Sequence, residues 1–186
     1  MEITELLKKI WSNILLVPEK RFDELTKDKD YKESFIYLLA CMAISLPIVF
    51  AVSMLSISAP TGKIMLALTN LVIYVLLGIP FTYIGIGITH ILLKLVGGKA
   101  TFLKTIQIFI YGETTSVIFG TLPLIGWIFS LIALANITLG AKRIHNLSLL
   151  RTIVAIIIIP VIIAMILGFI FAAYFTSSNA FTGPAY

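Results

Sequence analysis

Residues 152–175 read TIVAIIIIPVIIAMILGFIFAAYF, 24 positions without one charged side chain. At about 1.5 Å per residue such a helix is about 36 Å long, enough to cross a hydrocarbon layer about 30 Å thick. A helix on the surface of a soluble core is apolar along one stripe, whereas this one is apolar on every side. Reading outward toward the N-terminus gives four more segments of spanning length, at 35–57, 64–93, 102–122 and 123–141. The second is longer than one crossing needs, and Pro80 with Gly78, Gly85 and Gly87 predicts a kinked or tilted helix. Spans three and four leave room for only a tight turn at 121–126, so a re-entrant hairpin is the alternative to two full crossings. The expected fold class is an all-α polytopic membrane protein with five transmembrane helices.

Composition agrees. Of 186 residues, 59% are hydrophobic and 12% charged, against about 25% charged in ordinary soluble domains. The single cysteine, Cys41, excludes a disulfide framework and a cysteine-rich metal site. The net charge of +5 would suit a nucleic-acid binder only if the bases clustered on one face. They do not. Eight of the nine acids and seven of the fourteen bases precede Ser34, so residues 1–34 form a mixed-sign segment of about neutral charge. The other bases flank the spans: Lys63, then Lys94, Lys99 and Lys104, then Lys142, Arg143 and Arg151. With the N-terminus inside, thirteen bases are cytoplasmic and Lys63 alone is outside, the orientation the positive-inside rule selects. The protein is expected in the cell membrane, with residues 176–186 as an extracytoplasmic tail.

The N-terminus lacks the basic start of a signal peptide, since Glu2 and Glu5 stand there. Ile3, Leu6, Leu7, Ile10, Trp11, Ile14 and Val17 recur at three- and four-residue spacing, with Glu5, Lys8, Lys9, Ser12 and Asn13 opposite. This predicts an amphipathic helix over 3–17, ended by Pro18, with Leu7, Ile10, Trp11 and Ile14 as its apolar anchors. It either lies on the membrane or a partner, or packs under the protein's own bundle. A short charged helix over 18–29 should present Phe22 and Leu25.

Several stretches together resemble prokaryotic members of the Yip family (Ypt-interacting proteins). They are Val-Pro-Glu-Lys-Arg-Phe at 17–22, His90 followed by Gly97-Gly98-Lys99-Ala100-Thr101-Phe102, Tyr111, the tight turn between spans three and four, and residues 139–148 leading to a fifth span that contains Pro160. The similarity covers roughly residues 10–170 and lies in the ordered set. It implies five spans and a cytoplasmic N-terminus. In eukaryotic relatives it implies binding of Rab-type GTPases and a role in vesicle traffic. This chain departs from them: it has no long N-terminal extension or Asp-Leu-Tyr-Gly-Pro motif before the first span, and no proline in the third. The resemblance therefore does not carry a GTPase partner over to it.

Glu113 is the one acid outside the N-terminal segment, and it falls about 16 Å into the third span. A carboxylate at that depth is costly, so it is either protonated and hydrogen-bonded or faces a wet cavity that takes a proton or cation. Gly112, Ser116 and Gly120 form a small-residue ridge for close helix packing, and Glu113 borders it. Tyr111, Ser116 and Asn136 are candidate polar neighbours, with Thr138, Asn70, Tyr74 and Tyr83 as further hydrogen-bond partners. His90 and His145 should cap helix ends by bonding terminal carbonyls, since two histidines do not make a zinc set. Gly97-Gly98-Lys99 lacks the phosphate-loop pattern and reads as a turn. Leu103-Lys104-Thr105-Ile106 and Leu150-Arg151-Thr152-Ile153 repeat one another weakly, each at a span that begins with a snorkelling base.

No nucleophile lies near a histidine at equal depth, and His-Glu-x-x-His is absent, so no enzyme, metal or cofactor is expected. Three functional classes remain. One is a membrane-organising adaptor working through the N-terminal helices, the loop bases Lys99, Lys104, Lys142, Arg143 and Arg151, and the lipid bilayer, a membrane-protein partner or a second copy. Another is a small channel or transporter for ions, protons or lipid built on Glu113. The last is a structural subunit of a larger membrane complex.

Overall fold

The structure, a computed structural model, describes residues 3–13, 22–24, 27, 31–56 and 62–181. Among them every regular element is a helix: α1 (Ile3–Ser12), α2 (Tyr31–Ser56), α3 (Lys63–Leu95), α4 (Phe102–Gly112), α5 (Thr114–Phe119), α6 (Gly126–Ile144), α7 (Leu149–Ile153) and α8 (Ile159–Phe181). Between α7 and α8 the chain widens into a π-helical turn, Val154–Ile158. Pro160 stands two residues beyond it; its ring would clash with the Ile156 carbonyl in a regular helix, and the wider turn relieves that. Pro47 and Pro80 lie inside α2 and α3, each of which is one unbroken element.

Among the described residues four helices are long and apolar enough to cross a membrane: Tyr31–Ser56, Lys63–Leu95, Gly126–Ile144 and Leu149–Tyr174. Most of their apolar side chains point outward. In the 33 residues of α3 only Ala67, Ile86, Leu92 and Leu93 are buried, while Phe81, Ile84 and Leu95 are exposed. Such a surface is stable against lipid and would aggregate in water.

The third expected span differs in form. Residues 102–122 do not form one helix; α4 ends at Gly112, Glu113 makes a turn, and the short α5 follows. The cause is local. Gly112 is a weak helix former, and two β-branched threonines follow Glu113. The Thr114 hydroxyl then donates to the Tyr111 carbonyl at 2.9 Å, competing with the backbone ladder. This broken element sits at the centre of the bundle, packed against α2, α3 and α6. Eight consecutive residues, Thr105–Gly112, are buried, so α4 from Thr105 onward is covered on all sides.

Other boundaries differ less. α1 ends at Ser12, and Ile14 and Val17 lie outside the described residues, as does most of the 18–29 helix, of which 22–24 is helical. α8 carries helix through Phe181, into the part expected to be the extracytoplasmic tail. The turn before α6 holds Leu124 at φ 67°, where the Trp127 indole donates to the Leu124 carbonyl at 2.7 Å.

Candidate functional site

Two polar clusters lie inside this apolar bundle. The first surrounds the helix break. Tyr37 of α2 is fully buried, its hydroxyl 2.8 Å from Thr114 Oγ1, and it accepts a bond from Asn13 Nδ2 at 3.1 Å. The Tyr37 and Tyr111 rings meet edge to face at 4.9 Å. The Tyr111 hydroxyl lies 3.3 Å from Ser34 Oγ, which also accepts from Gln107 Nε2 at 3.3 Å. Lys9 Nζ of α1 stands 5.1 Å from the Tyr111 ring centroid, a cation–π contact. Residues from α1, α2, α4 and α5 are thus joined, and α1 is docked on the bundle through buried Ile10 and Asn13. Of the two placements open to the amphipathic helix, its buried side follows the second, while Ile3, Leu7 and Trp11 remain exposed at 76%, 46% and 71%.

Glu113 faces away from this network. It lines a cleft of about 70 Å³ with Leu38 and Met42 of α2, Tyr74, Gly78, Ile79 and Thr82 of α3, and Val117 of α5. That volume holds at least one water. Among the described residues its carboxyl has no ion-pair partner. The other sequence candidates lie elsewhere. Gly112 faces Ile137 of α6 and Ser116 Oγ lies 3.3 Å from Ser130 Oγ of α6. Gly120 packs within its own turn, against Ser116 and Gly126. Asn136 is fully buried on α6 and does not line the cleft. Of the expected partners only Tyr74 reaches the cleft; Tyr83 pairs its hydroxyl with Tyr31. The small-residue ridge and Glu113 therefore serve opposite sides of one broken element.

The second cluster closes the end of the bundle where α3 turns into α4 and α6 into α7. The Thr105 hydroxyl lies 2.7 Å from His90 Nδ1 and 2.9 Å from His145 Nε2. The same hydroxyl also lies 3.4 Å from the Thr101 carbonyl, and with one proton to give among these neighbours it accepts from at least one of the two rings. This corrects the expectation that the histidines bond terminal carbonyls. In the sequence Thr105 stands out only through the weak repeat, and its counterpart there, Thr152, does related work: both are fully buried near helix starts, after the caps Thr101 and Ser148. His145 is fully buried, its Nδ1 has no hydrogen-bond partner among the described residues, and a side chain on Gly98 would meet that atom at 2.6 Å. Burial first, then neighbouring His90 and the Lys94 ammonium, hold the His145 imidazole down at about 4. A folded-state value below the free one near 6.5 means that the unfolded chain binds the proton more tightly. His145 thus favours folding above pH ~6.5, and the contribution is lost as pH falls toward 4. Thermal unfolding in neutral micelles should show stability falling between pH 7 and 5, by on the order of 2 kcal/mol, and a flatter profile in His145→Gln. Equal slopes would remove His145 as the cause.

The N-terminal segment reaches this same end. Phe22 is fully buried, with ring atoms 2.7–2.9 Å from where a Gly140 side chain would begin. Asp23 pairs with Arg143, Nη2 to Oδ2 at 2.7 Å and Nε to Oδ1 at 3.2 Å. The guanidinium holds the exposed Asp23 carboxyl below the usual carboxylate range. Through Phe22 and Gly140, the stretches 17–22 and 139–148 touch despite their distance in sequence. Among the described residues no group of three or more histidine, cysteine or acidic side chains could hold a metal ion.

A family model described as the Yip1 domain matches residues 12–172. No curated protein and no solved structure matches the chain.

Proposed function

The chain belongs to the Yip1-domain family, and from that premise we propose that it is a non-enzymatic organiser or adaptor in the cell membrane, acting through contacts with protein or lipid. It is a multi-pass α-helical membrane protein. The proposal includes five passes and a cytoplasmic N-terminus. α6 is long enough to cross, and the α4–α5 arm packs along it and shares its tip at 120–125. Both arms of such a hairpin reach equal depth, which supports counting the broken element as one pass. The division of bases, thirteen against one, supports the orientation.

The observation that carries the adaptor reading is α1. One side of it is tied down by Ile10 and Asn13, and the other leaves Ile3, Leu7 and Trp11 uncovered. Large apolar and aromatic groups on a fixed helix are what a protein or lipid contact uses. A photoreactive group placed at Leu7 in native membranes should crosslink to protein or lipid, and Ile3→Ser with Trp11→Ser should abolish the adducts. Unchanged adducts would count against the proposal. The Glu113 cleft favours a second reading, transport. Proton, cation or lipid flux by the reconstituted protein, lost in Glu113→Gln, would replace the adaptor reading with that one.

A further inference from the structure

Three bases from three elements border one turn. Lys94 is in the last turn of α3, and its carbonyl accepts from Gly97 N at 3.0 Å. Lys99 follows the glycine pair, its backbone N–H donating to the His145 carbonyl at 3.2 Å, which ties this turn to the α6–α7 loop. Arg151, at the start of α7, lays Nη1 3.8 Å from the point where a Gly97 side chain would begin. Gly97 has φ +98°, a conformation that favours glycine, and the missing side chain makes room for the guanidinium. The Lys94 charge is felt at both His90 and His145, so it too belongs to this corner. All three side chains are exposed, and among the described residues none is in an ion pair.

The contrast with the neighbouring loop bases Lys104, Lys142 and Arg143 is what selects a ligand. Arg143 is engaged by Asp23, and Lys104 and Lys142 also have partners. The three at the Gly97 turn have no ion-pair partner among the described residues and stand at the end of a helix of spanning length, where a bilayer would place its headgroups. The histidines beneath them contribute no negative charge. A phosphate satisfies such a corner: it accepts from a guanidinium in two-pronged fashion and from ammonium groups as a point charge. Basic pockets between helices at the membrane face bind anionic headgroups on this principle.

We propose that Lys94, Lys99 and Arg151 form a site for the phosphate of an anionic phospholipid. The site stands apart from α1, so it does not depend on the adaptor reading, and either can fail without the other.

The test is native mass spectrometry of the full chain in neutral micelles titrated with phosphatidylglycerol, phosphatidylcholine or inorganic phosphate. Phosphatidylglycerol should bind more tightly than phosphatidylcholine. The triple variant Lys94→Gln, Lys99→Gln, Arg151→Gln should weaken that binding on the order of a hundredfold, from about fivefold per base. A variant with equal charge removed elsewhere, Lys8→Gln, Lys20→Gln, Lys27→Gln, should keep the preference. Circular dichroism and a monodisperse elution profile establish that each variant is folded. Equal losses in the two triple variants would mean general attraction to net charge and overturn the site. Equal affinity for the two lipids would do the same. Inorganic phosphate binding as tightly as phosphatidylglycerol would overturn the assignment to a lipid.

Discussion

Phe22→Ala is expected to destabilise the protein by about 3–5 kcal/mol, the range for removing a buried phenylalanine ring. Two of the contacts that fasten the N-terminal segment to α6 differ greatly in weight. The Asp23–Arg143 pair has good two-pronged geometry, but its side chains are 37% and 48% exposed. An ion pair so open to water contributes roughly 0.2–1 kcal/mol. Phe22 is completely covered, and its ring rests on the α6 backbone where Gly140 has no side chain. Burial should therefore dominate, with Arg143→Gln having a small effect and Phe22→Ala a large one. Unfolding in micelles titrated with an ionic detergent measures both. A second variant separates packing from a general folding defect. Gly140→Ala alone should destabilise, because its methyl would stand 2.7 Å from the Phe22 ring. In the Phe22→Ala background the same methyl enters the vacated space and should restore some of the loss, a coupling that a double-mutant cycle reads directly. Additive losses would show that the ring and Gly140 do not meet.

The features set by chain-wide apolar length were legible in the sequence. The expected spans at 35–57, 64–93 and 123–141 lie within about four residues of α2, α3 and α6, because length and lack of charge are properties of the segment itself. The break at Glu113 was not legible. A helical projection of 102–122 assumes one continuous helix, and on it Glu113 borders the ridge of Gly112, Ser116 and Gly120. The turn at Glu113 ends that phase, so Gly112 and Ser116 meet α6 while the carboxyl enters the cleft with α2 and α3. The Thr105 link between the histidines was hidden for another reason. His90 and His145 are 55 positions apart, and only the return of α6 beside α4 brings them within 5.9 Å, ring to ring. Phe22 and Asp23 illustrate the intermediate case. The stretches containing them and their partners were visible as separate motifs, but nothing in either stretch says that a ring and a missing side chain are complementary.

Gly112→Val tests the broken element, and it should destabilise by about 1–3 kcal/mol through overpacking. Two effects oppose each other at this position. Glycine is a poor helix residue, and replacing it with alanine in an unconstrained helix gains about 1 kcal/mol. Against that, an added Cβ would lie 2.7 Å from Ile137 Cγ1, 3.1 Å from Ile137 N and 3.3 Å from its Cα. The Ile137 side chain could rotate, but the backbone cannot yield unless α4 and α6 separate. In lipid, close backbone approach at small residues is a main source of helix association, so separation removes the favourable contact itself. The clash should therefore outweigh the propensity gain even for Gly112→Ala, with valine worse. Gly168 provides the matched comparison: it lies inside α8, and nothing stands within 4 Å of its would-be Cβ. Gly168→Ala should be neutral or stabilising in the same micelle titration, because only propensity acts there. If both alanine variants behave alike, α4 does not approach α6 as closely as the Ile137 contacts require. If Gly112→Ala alone destabilises, the displacement should also reach Tyr111 and Thr114, since they flank the same break, and should weaken the hold of Tyr37 on Asn13. Protease sensitivity of the N-terminal segment would then rise in Gly112→Val while that of Gly168→Ala stays unchanged, linking the packing of the central element to the docking of α1.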